Sequence, residues 1–323
     1  MVYSVYACGS NGRHQLGTRD HCEDLSALSK VFESEERIEK LASGGNHTLL
    51  LLASGELYAT GDNSRGQCAL SEDVVKEFTL VPTVGRSRWV NCCCGYEFSV
   101  LLNESNELYS CGAGPKGELG LGTAIGHSPG LKLIDTIPGI VEMKACVDHV
   151  VIRLCDGRLM AWGNNGRGRK LNVATPKTVW SPVEVGQGDR YSLGRDFTLV
   201  EANGVLTVWG NQRFPQVPTL AKEFQAMWSS VHYIDQQGHI QSMGNNSHGQ
   251  LIAEKLTPDR WCVGSEHGLM VISGELRAWG WGEHGNCGDH ANGTLLLPQG
   301  GGGGDIYAIH CGCATTWVVL KHS

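Results

Sequence analysis

Short apolar and polar alternations punctuated by glycine turns run along the whole chain. Four segments, ASGELYATG from Ala53, CDGRLMAWG from Cys155, ANGVLTVWG from Ala202 and ISGELRAWG from Ile272, each place alternating apolar residues on either side of a tight Gly-containing turn. That is the pattern of a β-hairpin. The runs between turns hold four to six residues rich in Val, Leu, Ile and aromatics, which predicts strands rather than helices.

Each hairpin leads into a recurring turn, in which a small or aromatic residue precedes Gly and a stretch rich in Gly, Asn and Gln. The copies are ACGSNGRHQLG, ATGDNSRGQCAL, SCGAGPKGELG, AWGNNGRGRKL, VWGNQ, SMGNNSHGQLI and AWGWGEHGNCG. Their anchoring glycines, Gly9, Gly61, Gly112, Gly163, Gly210, Gly244 and Gly280, are spaced by 52, 51, 51, 47, 34 and 36 residues. A second turn keeps step with the first, as in LASGGNHTLLLL, NCCCGYEFSVLL and CVGSEHGLMVI. Its glycine slot reads Gly44, Gly95, Cys146, Gly194, Trp228, Gly264 and Gly312, and three residues on stand His47, Phe98, His149, Phe197, Val231, His267 and Thr315.

A period near 50 with several strands per repeat predicts propeller blades that bury their faces only against one another. The last repeat ends in TTWVVLKHS without its final strand and turn, and VYSVYACGSNG at the start supplies them. The expected fold is therefore an all-β, seven-bladed β-propeller over residues 1–323 as a single domain, closed by pairing of the first and last strands. Such closure removes two open sheet edges.

Composition narrows the functional classes. A net charge of −7 argues against direct nucleic-acid binding, which needs a basic footprint. The longest basic stretch is Gly166-Arg167-Gly168-Arg169-Lys170. No run approaches the ~20 apolar residues of a membrane-spanning helix, and the first residues lack a basic region followed by an apolar core. The expected location is the cytoplasm, with the nucleus as a second compartment. The 13 cysteines include no Cys-x-x-Cys pair and lie mostly in apolar stretches, as buried packing residues do. Neither a G-x-S-x-G elbow, a P-loop nor HExxH is present. The five glycines Gly300–Gly304 lack a strand–helix context and read as a loop between strands. No catalytic residue, cofactor or metal site is predicted. His284 and Cys287, three apart and joined by His267 or His290, form the rival metal reading, with an incomplete ligand count.

The two turns together resemble the repeat of the regulator-of-chromosome-condensation family, over essentially the whole chain. Fold alone leaves the role open in so diverse a family. The stretches VGSEHGLMV (263–271), AWGWGEHGNCG (278–288) and GCATTWVVL (312–320) resemble more closely its compact fungal alpha-tubulin-suppressor branch. That resemblance implies a non-enzymatic regulatory scaffold that forms a heterodimer with the small CSL zinc-finger protein, an electron carrier. It also implies support of diphthamide synthesis on elongation factor two and of Elongator-dependent modification of tRNA wobble uridines, with contacts to components of both. Nucleotide exchange on a small GTPase and a tubulin adaptor are the alternatives.

The expected partner-binding residues lie on the second turn and on one copy of the first. In the second turn they are Asn46, Tyr96, Glu97, Asp148, Asp196, Glu266, His267 and Trp228. Glu97, Asp148, Asp196 and Glu266 form either a plainly solvated rim or an acidic ring that steers a charged partner. His47, His149 and His267 occupy a slot that also takes Phe and Val, so packing is the expected role for their rings. Trp281 stands where other copies have small or polar residues, which fits an interface anchor or a packing residue. Glu283 and His284 of the same turn offer hydrogen bonds to a partner. Trp228 contacts a partner or fills a void in a degenerate blade.

Overall fold

A computed structural model describes residues 1–20, 22–123, 125–166, 170–174, 176–210, 214, 221–289, 293–297 and 304–322. The basic residues Arg167 and Arg169, the glycines Gly300–Gly303, and His290 lie outside these.

The chain enters on β1 (Val2–Gly9) and β2 (Leu25–Ser34). Three four-stranded blades follow: β3 (Ile38–Ser43), β4 (His47–Leu52), β5 (Leu57–Asp62) and β6 (Val74–Leu80); β7 (Trp89–Cys94), β8 (Phe98–Asn103), β9 (Glu107–Ala113) and β10 (His127–Thr136); β11 (Ile140–Cys146), β12 (His149–Leu154), β13 (Arg158–Asn164) and β14 (Thr178–Gln187). Then come three blades of three strands each: β15 (Arg190–Leu193), β16 (Phe197–Ala202) and β17 (Val205–Gly210); β18 (Glu223–Ala226), β19 (Ser230–Ile234) and β20 (Ile240–Gly244); β21 (Arg260–Val263), β22 (His267–Ile272) and β23 (Glu275–Gly280). Strands β24 (Asp305–Cys311) and β25 (Thr315–His322) complete the seventh blade in the order β2-β1-β25-β24. The closing register runs from Val2↔His322 to Gly9↔Thr315, so the two ends of the chain share one sheet, as the truncated repeats predicted. The described residues thus form a seven-bladed all-β propeller.

The short repeats of 34 and 36 residues account for the fourth and fifth blades, because little length remains for an outer strand between β17 and β18 or between β20 and β21. In the sixth blade, among the described residues, a single bridge, Arg277↔Thr294, stands beside β23.

The second strand of each blade packs neighbours on both faces. Every residue of β4 and β8 is buried, which is why HTLLLL and FSVLLN read as continuous rather than alternating apolar runs. Trp162, fully buried, crosses to the preceding blade and donates from Nε1 to the Glu118 carbonyl at 2.8 Å. The inner strands β3, β7, β11, β15, β18, β21 and β24 surround a central channel of about 980 Å³, with Lys40, Cys94, Met143, Lys144, Tyr191 and His310 among its lining.

Gly61 shows why the first turn needs glycine. It pairs with His47 at φ +109, and a Cβ there would stand 2.4 Å from the Asn46 carbonyl oxygen. That pairing sets both recurring turns side by side at the same end of the blade.

Candidate functional site

The second-motif turns ring one mouth of the channel and are tied from blade to blade through the backbone. Gly45 N–H donates to the Tyr96 carbonyl (2.9 Å), Tyr96 to Val147 (2.8 Å), Arg195 to Trp228 (3.1 Å), Trp228 to Ser265 (2.7 Å) and Ser265 to Gly312 (3.0 Å). At the third blade Val147 adopts φ +51 and leaves this pattern. There the buried Lys170 takes over: its Nζ donates to the Arg195 carbonyl at 2.7 Å and to Asp148 Oδ1 at 2.5 Å.

These bonds correct the expected register of the fifth blade. Ser230, not Val231, pairs with the anchoring Gly244, and Met227 N–H donates to the Ser230 carbonyl at 2.9 Å. In the other blades that bond comes from the glycine slot, for example Gly44 to His47 and Gly95 to Phe98. Met227 therefore fills the slot, and Trp228 takes the next position, equivalent to Gly45, Tyr96 and Arg195. The ring of Trp228 meets that of Tyr96, which belongs to the second blade, at 6.5 Å between centroids and a 50° tilt. Two aromatics from blades on different sides of the ring thus approach one another at the mouth, and Tyr96 remains 44% exposed.

The four acids do not make a uniform negative ring. Asp148 is neutralised by Lys170 and by Lys116 at 3.3 Å. Burial raises its carboxyl, but the Lys170 charge and the bonds from Lys170 and Asn164 outweigh that and hold it below the usual carboxylate range. Asp196 pairs with Arg195 at 3.3 Å. Glu266 accepts from Ser229 Oγ (2.9 Å) and Gln250 Nε2 (3.1 Å). Glu97 is exposed and enters no ion pair among the described residues. Asn46, partly exposed, accepts a long 3.4 Å bond from Gln15 Nε2.

His267 is not a surface residue. It is 1% exposed, its Nε2 lies 3.1 Å from Thr316 Oγ1, and burial pushes its imidazole down to about 4, so it packs as the slot predicts and cannot meet a partner. His47 and His149 are likewise fully buried. His284 and Cys287 also diverge. His284 Nδ1 contacts Asp24 Oδ2 at 2.8 Å, whereas Cys287 Sγ points to the Trp279 carbonyl at 3.7 Å and burial pushes its thiol up to about 12. Among the described residues no three His, Cys, Asp or Glu side chains converge to hold a metal.

Trp281 occupies the same face, 39% exposed and fixed on several sides. Its backbone N–H donates to the Glu266 carbonyl at 2.9 Å, and its Nε1 to Glu283 Oε2 at 3.0 Å. Its ring stacks on His248 at 4.6 Å and 17°. Asp24, which receives His284, also accepts the Asn11 N–H at 2.9 Å and so ties this turn to the closing blade. A continuous path runs from Trp281 through Glu266 and Ser229 to Trp228 and Tyr96. Sequence reasoning missed His248 and Asp24, which come from turns of other blades and carry no signal of their own beyond lying in the repeat.

Burial pushes the thiols of Cys8, Cys93, Cys111 and Cys146 up to about 12, the reverse of an activated nucleophile.

Comparison with known proteins agrees with this architecture. Residues 38–67 match the family described as the regulator of chromosome condensation (RCC1) repeat. The RCC1 repeat-containing protein C10F6.04 of Schizosaccharomyces pombe is 30% identical, covering 99% of each chain. The secretion-regulating guanine nucleotide exchange factor of Bos taurus is 26% identical over 96% of this chain and 81% of its own. Among solved structures, human WBSCR16 superposes with a TM-score of 0.83 at 17% identity, covering 99% of both chains. Prp20p from Saccharomyces cerevisiae gives 0.84 at 15%, covering 99% of this chain and 92% of its own. Both likenesses speak to the fold. With a relative at 30% identity along its whole length and seven blades built from the same paired turns, the chain belongs to the RCC1 repeat family, among propellers related to exchange factors and regulators.

Proposed function

We propose that the protein is a non-enzymatic scaffold whose turn-lined face docks a partner protein, and that this partner is the small CSL zinc-finger protein. The observation that carries the docking face is Trp281: a large aromatic, 39% exposed, held by His248 and Glu283 and continuous with the Tyr96–Trp228 pair. A side chain already fixed in place loses little entropy on binding, which is what makes Trp and Tyr effective anchors. The choice of partner rests on the resemblance of segments 263–271, 278–288 and 312–320 to the fungal branch. On that reading the heterodimer, with components of Elongator and of diphthamide synthesis, supports tRNA wobble-uridine modification and diphthamide formation in the cytoplasm, with the nucleus as a second compartment.

Calorimetric titration with the zinc-loaded CSL protein tests the proposal. One-to-one binding at submicromolar Kd is expected; the absence of heat at micromolar concentrations would remove this partner.

A second reading has one specific support, the 26% identity to a protein named as a guanine nucleotide exchange factor across 96% of this chain. Acceleration of nucleotide release from a small GTPase by the purified protein would favour it over the scaffold.

A further inference from the structure

The inner strands of the sixth and seventh blades bring two thiols face to face. Cys262 of β21 and Cys311 of β24 lie 49 residues apart in sequence, and their sulfurs are 3.4 Å apart. Other buried cysteines direct sulfur elsewhere: Cys68 to the Thr60 carbonyl, Cys94 to Ala42 and Cys111 to Gln67. The two backbones converge here as well. A Cβ built on Gly264 would stand 2.9 Å from the Cys311 Cβ, and the next turns are joined by Ser265 N–H to the Gly312 carbonyl at 3.0 Å. Both cysteines line the central channel, and Cys262 is the more exposed of the two.

We propose that Cys262 and Cys311 are a thiol-modification site that closes to an inter-blade disulfide when the protein meets a low-molecular-weight disulfide. The Cys262 thiolate attacks one sulfur of the oxidant, the oxidant's S–S bond breaks, and one thiol leaves. The mixed disulfide on Cys262 is then attacked by Cys311, which gives up its proton to solvent as the second small thiol departs. The protein loses two hydrogens and two electrons, and the oxidant is reduced to two thiols. Burial and the neighbouring Cys262 sulfur hold the Cys311 thiol protonated, so the more accessible Cys262 reacts first. The sulfurs need approach by little more than 1 Å to reach bonding distance, and the bond would stitch together the two turns that carry Ser265, Glu266 and Cys313. The inference stands on this geometry and is independent of which partner the face binds.

The test uses the full-length reduced protein with oxidised glutathione, followed by alkylation under denaturing conditions and peptide mapping. Oxidation is expected to protect two of the 13 thiols from alkylation and to link the peptide holding Cys262 to the one holding Cys311. The tryptic peptide with Cys311 also carries Cys287 and Cys313, so the variants Cys311→Ser and Cys262→Ser assign the bond: each should abolish the link. Glutathione retained on Cys262 with Cys311 free, a link through Cys287 or Cys313, or 13 reactive thiols after oxidation would each overturn the proposal. Far-ultraviolet circular dichroism of both variants confirms that loss of the link is not loss of the fold.

Discussion

Lys170 Nζ lies 2.5 Å from Asp148 Oδ1, with the lysine side chain 2% and the aspartate 14% exposed, and this pair replaces a backbone link in the ring of turns around the channel mouth. In the first-motif turn, Lys170 stands where Gln15, Gln67 and Gln250 stand in other blades, and Asp148 stands where Asn46 does. The glutamines Gln15 and Gln250 reach the second turn of the following blade, at Asn46 and Glu266, whereas Lys170 pairs with Asp148 of its own blade and meets the following blade at the Arg195 carbonyl. Removing one charge strands the other, so Lys170→Met is expected to destabilise the fold by ~3 kcal/mol, read as a fall in the urea midpoint. Asp148→Asn together with Lys170→Met leaves no stranded charge and should recover much of that loss. Because the Asp148 carboxyl is depressed in the folded state, its contribution is present above the unfolded value of 3.8 and is lost as pH falls through the folded one. In Lys170→Met that depression is removed and protonation relieves the stranded carboxylate, so the stability gap between variant and parent should narrow as pH falls through the Asp148 range.

Buried imidazoles set a second pH dependence. Burial pushes His47, His267 and His310 down to about 4, with the Lys40 charge adding to the effect at His310, and pushes His232 down to about 3, all from 6.5. The unfolded chain takes up these protons below pH 6.5 while the folded chain refuses them down to about 4. Stability is therefore fully present above 6.5 and falls with pH between those values. Four protons correspond to a slope of about 5 kcal/mol per pH unit at its steepest, enough to unfold a domain of ordinary stability before pH 4. His47→Phe copies the Phe98 and Phe197 slots. Ser99, which contacts His47 Nε2 at 2.9 Å, keeps its bond to the Gln67 carbonyl at 2.7 Å. The variant should fold at neutral pH and lose about one proton from the slope of stability against pH, and an unchanged slope would show that His47 takes no part.

Periodicity made the architecture legible: the turn spacing gave the blade number, and the truncated end repeats gave the closure Val2↔His322. The site was legible only in outline. The fifth blade was misread by one residue because Met227 fills the glycine slot, and the apolar Val231 imitates the position that Ser230 holds. Lys170 read as part of a basic stripe, although its place in the repeat buries it against a carboxylate one turn away. Trp281 could be recognised as an outlier, but its support could not, since His248 and Asp24 arrive from other blades and only the closed ring brings them near.

Backbone demand at the first-motif glycines gives a clean contrast. Gly112 sits at φ +106, and a Cβ there would lie 2.3 Å from the Glu97 carbonyl oxygen and 2.7 Å from Phe98 Cα. Both obstacles are backbone, so neither can swing aside. Gly12, in the same kind of turn, would meet nothing within 4 Å. Gly112→Ala should cost more than ~2 kcal/mol in urea unfolding, while Gly12→Ala should stay within ~0.5 kcal/mol of the parent.

Trp281→Ala separates binding from stability. The indole is 39% exposed, and its loss removes the stack on His248 and the bond to Glu283 without opening a core cavity, so the melting temperature should hardly move. If this ring anchors the partner, truncation should weaken the CSL complex by ~2 kcal/mol, about thirty-fold in Kd. His248→Ala leaves the indole present but unsupported, and a smaller loss is expected, expressed mainly as faster dissociation. Val205→Ala, at the hairpin on the opposite end of the fourth blade and 56% exposed, serves as the control and should bind like the parent. Equal affinities for Trp281→Ala and Val205→Ala in the same titration would move the docking site off this face, even if the complex itself forms.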